Sequence, residues 1–139
     1  MKKLFLLLFV TLNFGGNAQT EDYAGIYTFY IKALKGEIID YQLQLNYDNT
    51  FLFKSYINNN TNEYYKNGKG TWKVENKIIK FTTEKTDLDE KHTLNFSGST
   101  ARLIKKSPRD TSEKVVPTSL QFYKSEIFWI ANLKLILKE

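Results

Sequence analysis

The side chains that covalent chemistry would need are few in this chain of 139 residues. It has one histidine, His92, and no cysteine. Thiol nucleophiles, thiolate metal sites, a disulfide framework and a lipid-bearing N-terminal cysteine are therefore excluded, as are centres built from several histidines. His92, with Asp89 or Glu90 close by in sequence, has the composition of a general base and its orienting carboxylate. No serine stands in a Gly-x-Ser-x-Gly turn to be activated by it, and a lone histidine at a strand start reads more simply as a rim residue. Glu84, Asp87, Asp89 and Glu90 carry oxygens of the kind calcium takes, but their spacing departs from an EF-hand loop, and they read as a solvated hairpin tip. No glycine-rich phosphate loop occurs among the seven glycines, and alternation alone pairs no two carboxylates for glycoside hydrolysis. The expectation is a protein that is not an enzyme and holds neither a cofactor nor a metal.

Recognition chemistry is better supplied. Aromatic residues make up 15% of the chain, including nine Tyr and ten Phe, and tyrosine offers an apolar body with a hydroxyl that needs a partner when buried. Tyr64, Tyr65 and Lys66 follow the polar run Asn58–Asn62, where aromatic rings beside a cation would suit a carbohydrate or protein surface. The simpler reading, preferred here, makes the two tyrosines one inward and one outward residue of a strand.

What positions these side chains is a period of two. From Gly25 onward apolar residues recur mostly at alternate positions, as they do where successive side chains point to opposite faces of a strand. Tyr27, Phe29, Ile31 and Ala33 share one face of a first strand. Tyr41, Leu43, Leu45 and Tyr47 share one face of a second, and Asp48-Asn49 supplies turn chemistry. Phe51, Phe53 and Ile57 continue beyond that turn. Gly70, Trp72 and Val74 form the next series, Glu75-Asn76-Lys77 another turn, and Ile79 with Phe81 the following strand. Thr86–Glu90 breaks the pattern. His92, Leu94 and Phe96 resume it, Ser97-Gly98-Ser99 turns the chain, and Arg102–Ile104 makes a short strand. Lys105–Thr118, with both prolines, is a long irregular segment. It reads equally as a lid over a barrel mouth or as an exposed connection. Leu120 and Phe122 follow. Ile127, Trp129, Ala131, Leu133, Leu135 and Leu137 then form the longest alternating series, read as a strand in preference to a helix.

Eight or nine short strands joined mainly by tight turns predict an all-β fold, a single antiparallel up-and-down β-barrel of about eight strands. Closure of such a sheet removes its exposed edges. Eleven bulky residues are expected to point inward: Tyr27, Phe29, Tyr41, Leu43, Leu45, Phe51, Phe53, Trp72, Phe81, Phe96 and Trp129. An interior of this size is either packed by its own side chains or holds one small ligand, and both readings stand.

Three short patterns carry a resemblance. Gly25-x-Tyr27 opens the domain, Asp48-Asn49-Thr50-Phe51 forms the turn of a hairpin, and Gly70-x-Trp72 lies one strand later. Together they resemble the small secreted lipocalin-like domains, relatives of the calycin barrels, with Asn49 standing where those domains usually have glycine. The similar features span residues 23–137. The resemblance implies an antiparallel barrel with an internal pocket, often for an apolar molecule. On this reading the ligand-binding interior is expected from Tyr27, Phe29, Tyr41, Leu43, Phe53, Trp72, Phe81, His92, Phe96 and Trp129.

The N-terminus follows a different logic. Lys2 and Lys3, the apolar run Leu4–Leu12, and the small residues Gly15, Gly16 and Ala18 have the order of a secretory signal peptide cleaved after Ala18. The run is too short to span a membrane, which takes about 20 apolar residues. Residues 1–18 are therefore expected to be a signal peptide and 19–139 the barrel domain, secreted or periplasmic. Part of the +5 net charge leaves with Lys2 and Lys3, and no basic stripe remains to suggest a nucleic-acid partner. The expected partner is a small, mainly apolar molecule. The alternative is a packed barrel acting through its surface as a protein-interaction or envelope-associated module.

Overall fold

The computed structural model describes Thr20 and residues 22–139, so the expected signal segment lies outside the described residues. Eight strands follow one another around a closed antiparallel barrel: β1 (Gly25–Lys32), β2 (Ile38–Leu45), β3 (Thr50–Asn58), β4 (Glu63–Glu75), β5 (Ile78–Thr82), β6 (Thr100–Ile104), β7 (Ser119–Lys124) and β8 (Lys134–Leu137). Each strand pairs with its neighbour in sequence, and β8 returns to pair with β1. This is the expected up-and-down order, and the closed architecture is compatible with a calycin-type fold.

Turn chemistry sets the register. Asn49 adopts φ 66°, a left-handed conformation that asparagine tolerates. Asp48 Oδ1 accepts the Thr50 backbone N–H at 3.0 Å, closing the β2–β3 hairpin. Asn76 and Lys77 both have positive φ, at 52° and 64°, as the two central residues of a type I′ hairpin do. That hairpin aligns Trp72 with Phe81 and Val74 with Ile79.

Pairing then stacks the inward residues of β1 to β4 into four levels. Gly25, Leu45, Phe51 and Gly70 lie at the end bearing the Asp48-Asn49 turn, followed by Tyr27, Leu43, Phe53 and Gly68. Phe29, Tyr41, Ser55 and Lys66 form the third level, and Ile31, Ile39, Ile57 and Tyr64 the fourth, nearest the opposite mouth. The first two levels are buried apart from half-buried Gly25, with Leu43 and Phe53 fully so. Trp72 closes the turn-bearing end by donating its indole N–H to the carbonyls of Thr50 and Asn46, at 3.0 and 3.2 Å.

Strands β5 and β6 are short and meet over only two residue pairs, Ile79 with Ala101 and Lys80 with Thr100. The long connection between them fills the space. After Thr82 the chain runs through a single 3-10 turn at Lys85–Asp87, and Thr93 and Leu94 then both donate N–H to the carbonyl of Asn67. The alternation of His92, Leu94 and Phe96 thus belongs to no strand: only an isolated bridge joins Leu94 to Gly68. The segment satisfies its backbone on β4 while Phe96 alone is driven fully into the core.

The tail also departs from expectation. Residues 125–133 form turns rather than a strand, and only Lys134–Leu137 pairs. Ile127 accepts backbone N–H bonds from both Ile130 and Ala131, and Leu133 donates back to Ile130. This compact turn buries Ile130 completely and leaves Phe128 86% exposed. The turn needs Ile130 for the core while Phe128 stays at the surface, and the period of two hides this difference. Ala101 and not Arg102 faces inward on β6.

Candidate functional site

The interior is largely packed. Phe51, Phe53, Phe81, Phe96 and Phe122 form a connected set of rings, with Phe51 to Phe81 at 5.1 Å, Phe53 to Phe96 at 5.2 Å and Phe81 to Phe122 at 5.2 Å. Edge and tilted contacts at these separations are the favourable aromatic geometries. The buried tyrosine of the second level has found its partner within the chain: Tyr27 Oη donates to the carbonyl of Tyr23 at 2.7 Å. Burial, reinforced by Tyr23, pushes its phenol up to about 12.

The packing stops at the third level. There an open cavity of about 370 Å³ begins, at the mouth where β1 ends and β7 passes into β8. Its apolar walls are Ile57 of the fourth level and Phe128 and Trp129 of the 125–133 turn. Its polar groups come from the strands: Tyr41 of β2, Ser55 of β3, and Tyr64 and Lys66 of β4. Trp129 forms the floor, its ring 5.2 Å from Tyr41 and 5.9 Å from Phe53. Phe29 stacks on the far side of Tyr41 at 5.7 Å. Burial raises the Tyr41 phenol above its ordinary value of 10.0, so its hydroxyl stays a donor across the neutral range.

The expected interior residues thus divide. Tyr41 and Trp129 line the cavity, and Phe29 supports it from behind. Tyr27, Leu43, Phe53, Trp72, Phe81 and Phe96 lie in the packed core, each at most 2% exposed. His92 lies elsewhere, in the β5–β6 connection, with its ring Nδ1 2.9 Å from Asp89 Oδ1. Ser55, Ile57, Lys66 and Phe128 were not among the expected binding residues. Ser55 and Lys66 face one another across β3 and β4, a relation that only the register reveals. Tyr64 takes the inward place and Tyr65 the outward one, against Tyr56 at 5.1 Å, as the simpler reading of that pair expected. Lys105–Thr118 lies at the other end of the barrel. Lys105 and Pro108 border a separate cavity with Tyr23 and Lys77, so this loop does not cover the mouth.

Asp89 and His92 form a loop clamp. Asp89 Oδ1 accepts the backbone N–H groups of Lys91 and His92 at 2.8 and 2.7 Å in addition to the imidazole. The hydrogen bond from the His92 ring, then those backbone bonds, hold the carboxyl at about 2 instead of 3.8. Its folded pKa is depressed, so the clamp's contribution is fully present above pH 4 and is lost as pH falls through about 2. Carbon-detected NMR titration is expected to give Asp89 a midpoint near 2 with the Lys91 and His92 amides moving in the same step. A midpoint near 4 with unmoved amides would remove the clamp.

Among the described residues, no group of three or more His, Asp or Glu side chains is placed to hold a metal ion. None of their helices is long and apolar enough to cross a membrane. Comparison with protein-family models, curated proteins and solved structures gives no match.

Proposed function

We propose that this chain is an exported, lipocalin-like barrel that binds one small, mainly apolar molecule at its mouth, without catalysis. The observation that carries this reading is the cavity itself. Its volume of about 370 Å³ lies within the range of small-molecule sites, roughly 300–1,000 Å³, and such sites combine apolar walls with a few polar groups. The Phe-filled lower half supplies a rigid base, and the ligand sits above it instead of in a deep central hollow.

Phe128 gives a clean test, because it is exposed and lines the cavity without belonging to the core. The neutral fluorophore N-phenyl-1-naphthylamine is expected to bind one-to-one with enhanced emission. Phe128→Ala should weaken it several-fold while changing unfolding stability by no more than about 0.5 kcal/mol, as for other exposed positions. Absence of any enhancement would defeat the cavity reading.

A second reading, a module acting through its surface, is favoured by one feature of the outer wall. Cross-strand pairing places Tyr30, Asp40, Tyr56 and Tyr65 in one outward row across β1 to β4, with Tyr30 59% and Tyr65 66% exposed. Aromatic residues exposed in a row are typical of contact surfaces, and this reading takes precedence if the fluorophore does not bind.

A further inference from the structure

Resting on the cavity reading, we infer that the bound molecule is a monocarboxylate, its anionic group held at the level of Lys66, Ser55 and Tyr41 and its apolar body against Ile57, Phe128 and Trp129. The argument starts from the position of Lys66. Its direct partner across the ladder is Ser55, which is 3% exposed and faces the interior. Lys66 therefore stands on the inward face of β4, a place where alternation would put an apolar residue. The described ion pairs of the molecule use Lys69, Lys73, Lys80 and His92, with Asp89 and Glu75 as their acids. Lys66 takes part in none of them, and no hydrogen bond within the described residues engages the Lys66 ammonium, the Ser55 hydroxyl or the Tyr41 hydroxyl. Three polar groups that line one cavity, two of them on mostly buried residues, thus lack a partner among the described residues.

Their chemistry selects the ligand. A lysine ammonium and a phenol are donors, and a serine hydroxyl donates or accepts. Two or three donors lining one cavity suit a carboxylate, whose oxygens accept several hydrogen bonds and whose charge the ammonium balances. The cavity lining contains one cation and no acid, so a single negative charge is matched, whereas a dianion would leave charge unpaired in a partly desolvated place. The fourth level and the 125–133 turn continue the cavity with apolar surface, which sets the direction of the ligand: the acid at the third level, the chain or ring outward.

The test compares decanoate, decanol, decylamine and decyl phosphate by titration calorimetry with the full chain as exported. Decanoate is expected to bind about tenfold more tightly than decanol, given that the ion pair remains partly hydrated, and decylamine more weakly still. Lys66→Met should remove the preference for decanoate over decanol. Raising salt should weaken decanoate relative to uncharged decanol. Decanol or decylamine binding as tightly as decanoate, or a preference that survives Lys66→Met, would overturn the acid assignment and leave the cavity reading standing. Tighter binding of decyl phosphate would overturn the monocarboxylate in the same way. If none of the four binds, the cavity reading fails and this inference with it.

Discussion

Replacing Phe96 with alanine is expected to lower the unfolding free energy by about 3–5 kcal/mol, the cost typical of deleting a large buried aromatic side chain. Phe96 is unusual because it enters the core from a connection and not from a strand. It is fully buried, with its ring 5.2 Å from those of both Phe51 and Phe53 and 6.2 Å from Phe122. Its backbone N–H is also used, donating to Thr83 Oγ1 at 3.0 Å. Removing the ring leaves a cavity bordered by four phenylalanines, Phe51, Phe53, Phe81 and Phe122, and frees the segment that fills the gap beside the short β5. Urea denaturation measures the first effect, and hydrogen exchange at Thr93 and Leu94 the second, because both amides hang on the carbonyl of Asn67. A loss below about 1 kcal/mol would mean that neighbouring rings collapse into the space, and that the connection is held by its backbone bonds alone.

The second large effect is expected at Gly70. A Cβ there would lie 2.0 Å from the carbonyl oxygen of Thr82 and 3.0 Å from Phe51 Cε1. The Thr82 oxygen is backbone at the point where β5 leaves the sheet, so relief requires moving the chain. Gly70→Ala is expected to cost about 3 kcal/mol or more, the upper end for overpacked sites, or to prevent folding. Gly68→Ala provides the control. Its Cβ would meet Phe96 Cε2 at 2.7 Å, but the obstacle is a side chain, and a cost of about 1–3 kcal/mol is expected. Combining Gly68→Ala with Phe96→Ala should cost less than the sum of the two, because the clash disappears with the ring. Additive costs, or a Gly70 variant as stable as the parent, would contradict the close approach of the β5–β6 connection to the inner wall.

Both effects come from a place where the amino-acid pattern was only half readable. Alternation located β1 to β5 well, because Tyr27, Leu43, Phe53, Trp72 and Phe81 each face a buried interior, and Leu43, Trp72 and Phe81 alternate with polar neighbours such as Gln42, Gln44, Lys73 and Lys80. The same alternation in His92, Leu94 and Phe96 is a coincidence of a loop that anchors on β4, and nothing local distinguishes it from a strand. At the tail, Phe128 and Ile130 break the alternation, and the physical reason emerges only in three dimensions, where one lines the mouth and the other is buried by a turn. The candidate site was legible to the extent that Tyr41 and Trp129 were expected inside. Ser55 and Lys66 were not, because their meaning lies in the β3–β4 register and no single strand carries it. Phe81 and Phe96, by contrast, are spent on packing, since five rings from four separate segments, with Phe51, Phe53 and Phe122, meet there.

The join that closes the barrel has a consequence of its own. Strand β8 is four residues long and meets β1 over two pairs, Tyr27 with Leu137 and Thr28 with Ile136, helped by one bond from the Lys138 N–H to the Ile26 carbonyl. All other neighbours of β1 lie on the β2 side. Opening of this seam, which is as short in paired residues as that between β5 and β6, uncovers a ribbon of unpaired backbone along β1. At high protein concentration that ribbon can accept the C-terminal strand of another molecule, so the characteristic misassembly of this chain is expected to be exchange of β8 between copies, a swapped dimer that regenerates the same cylinder twice.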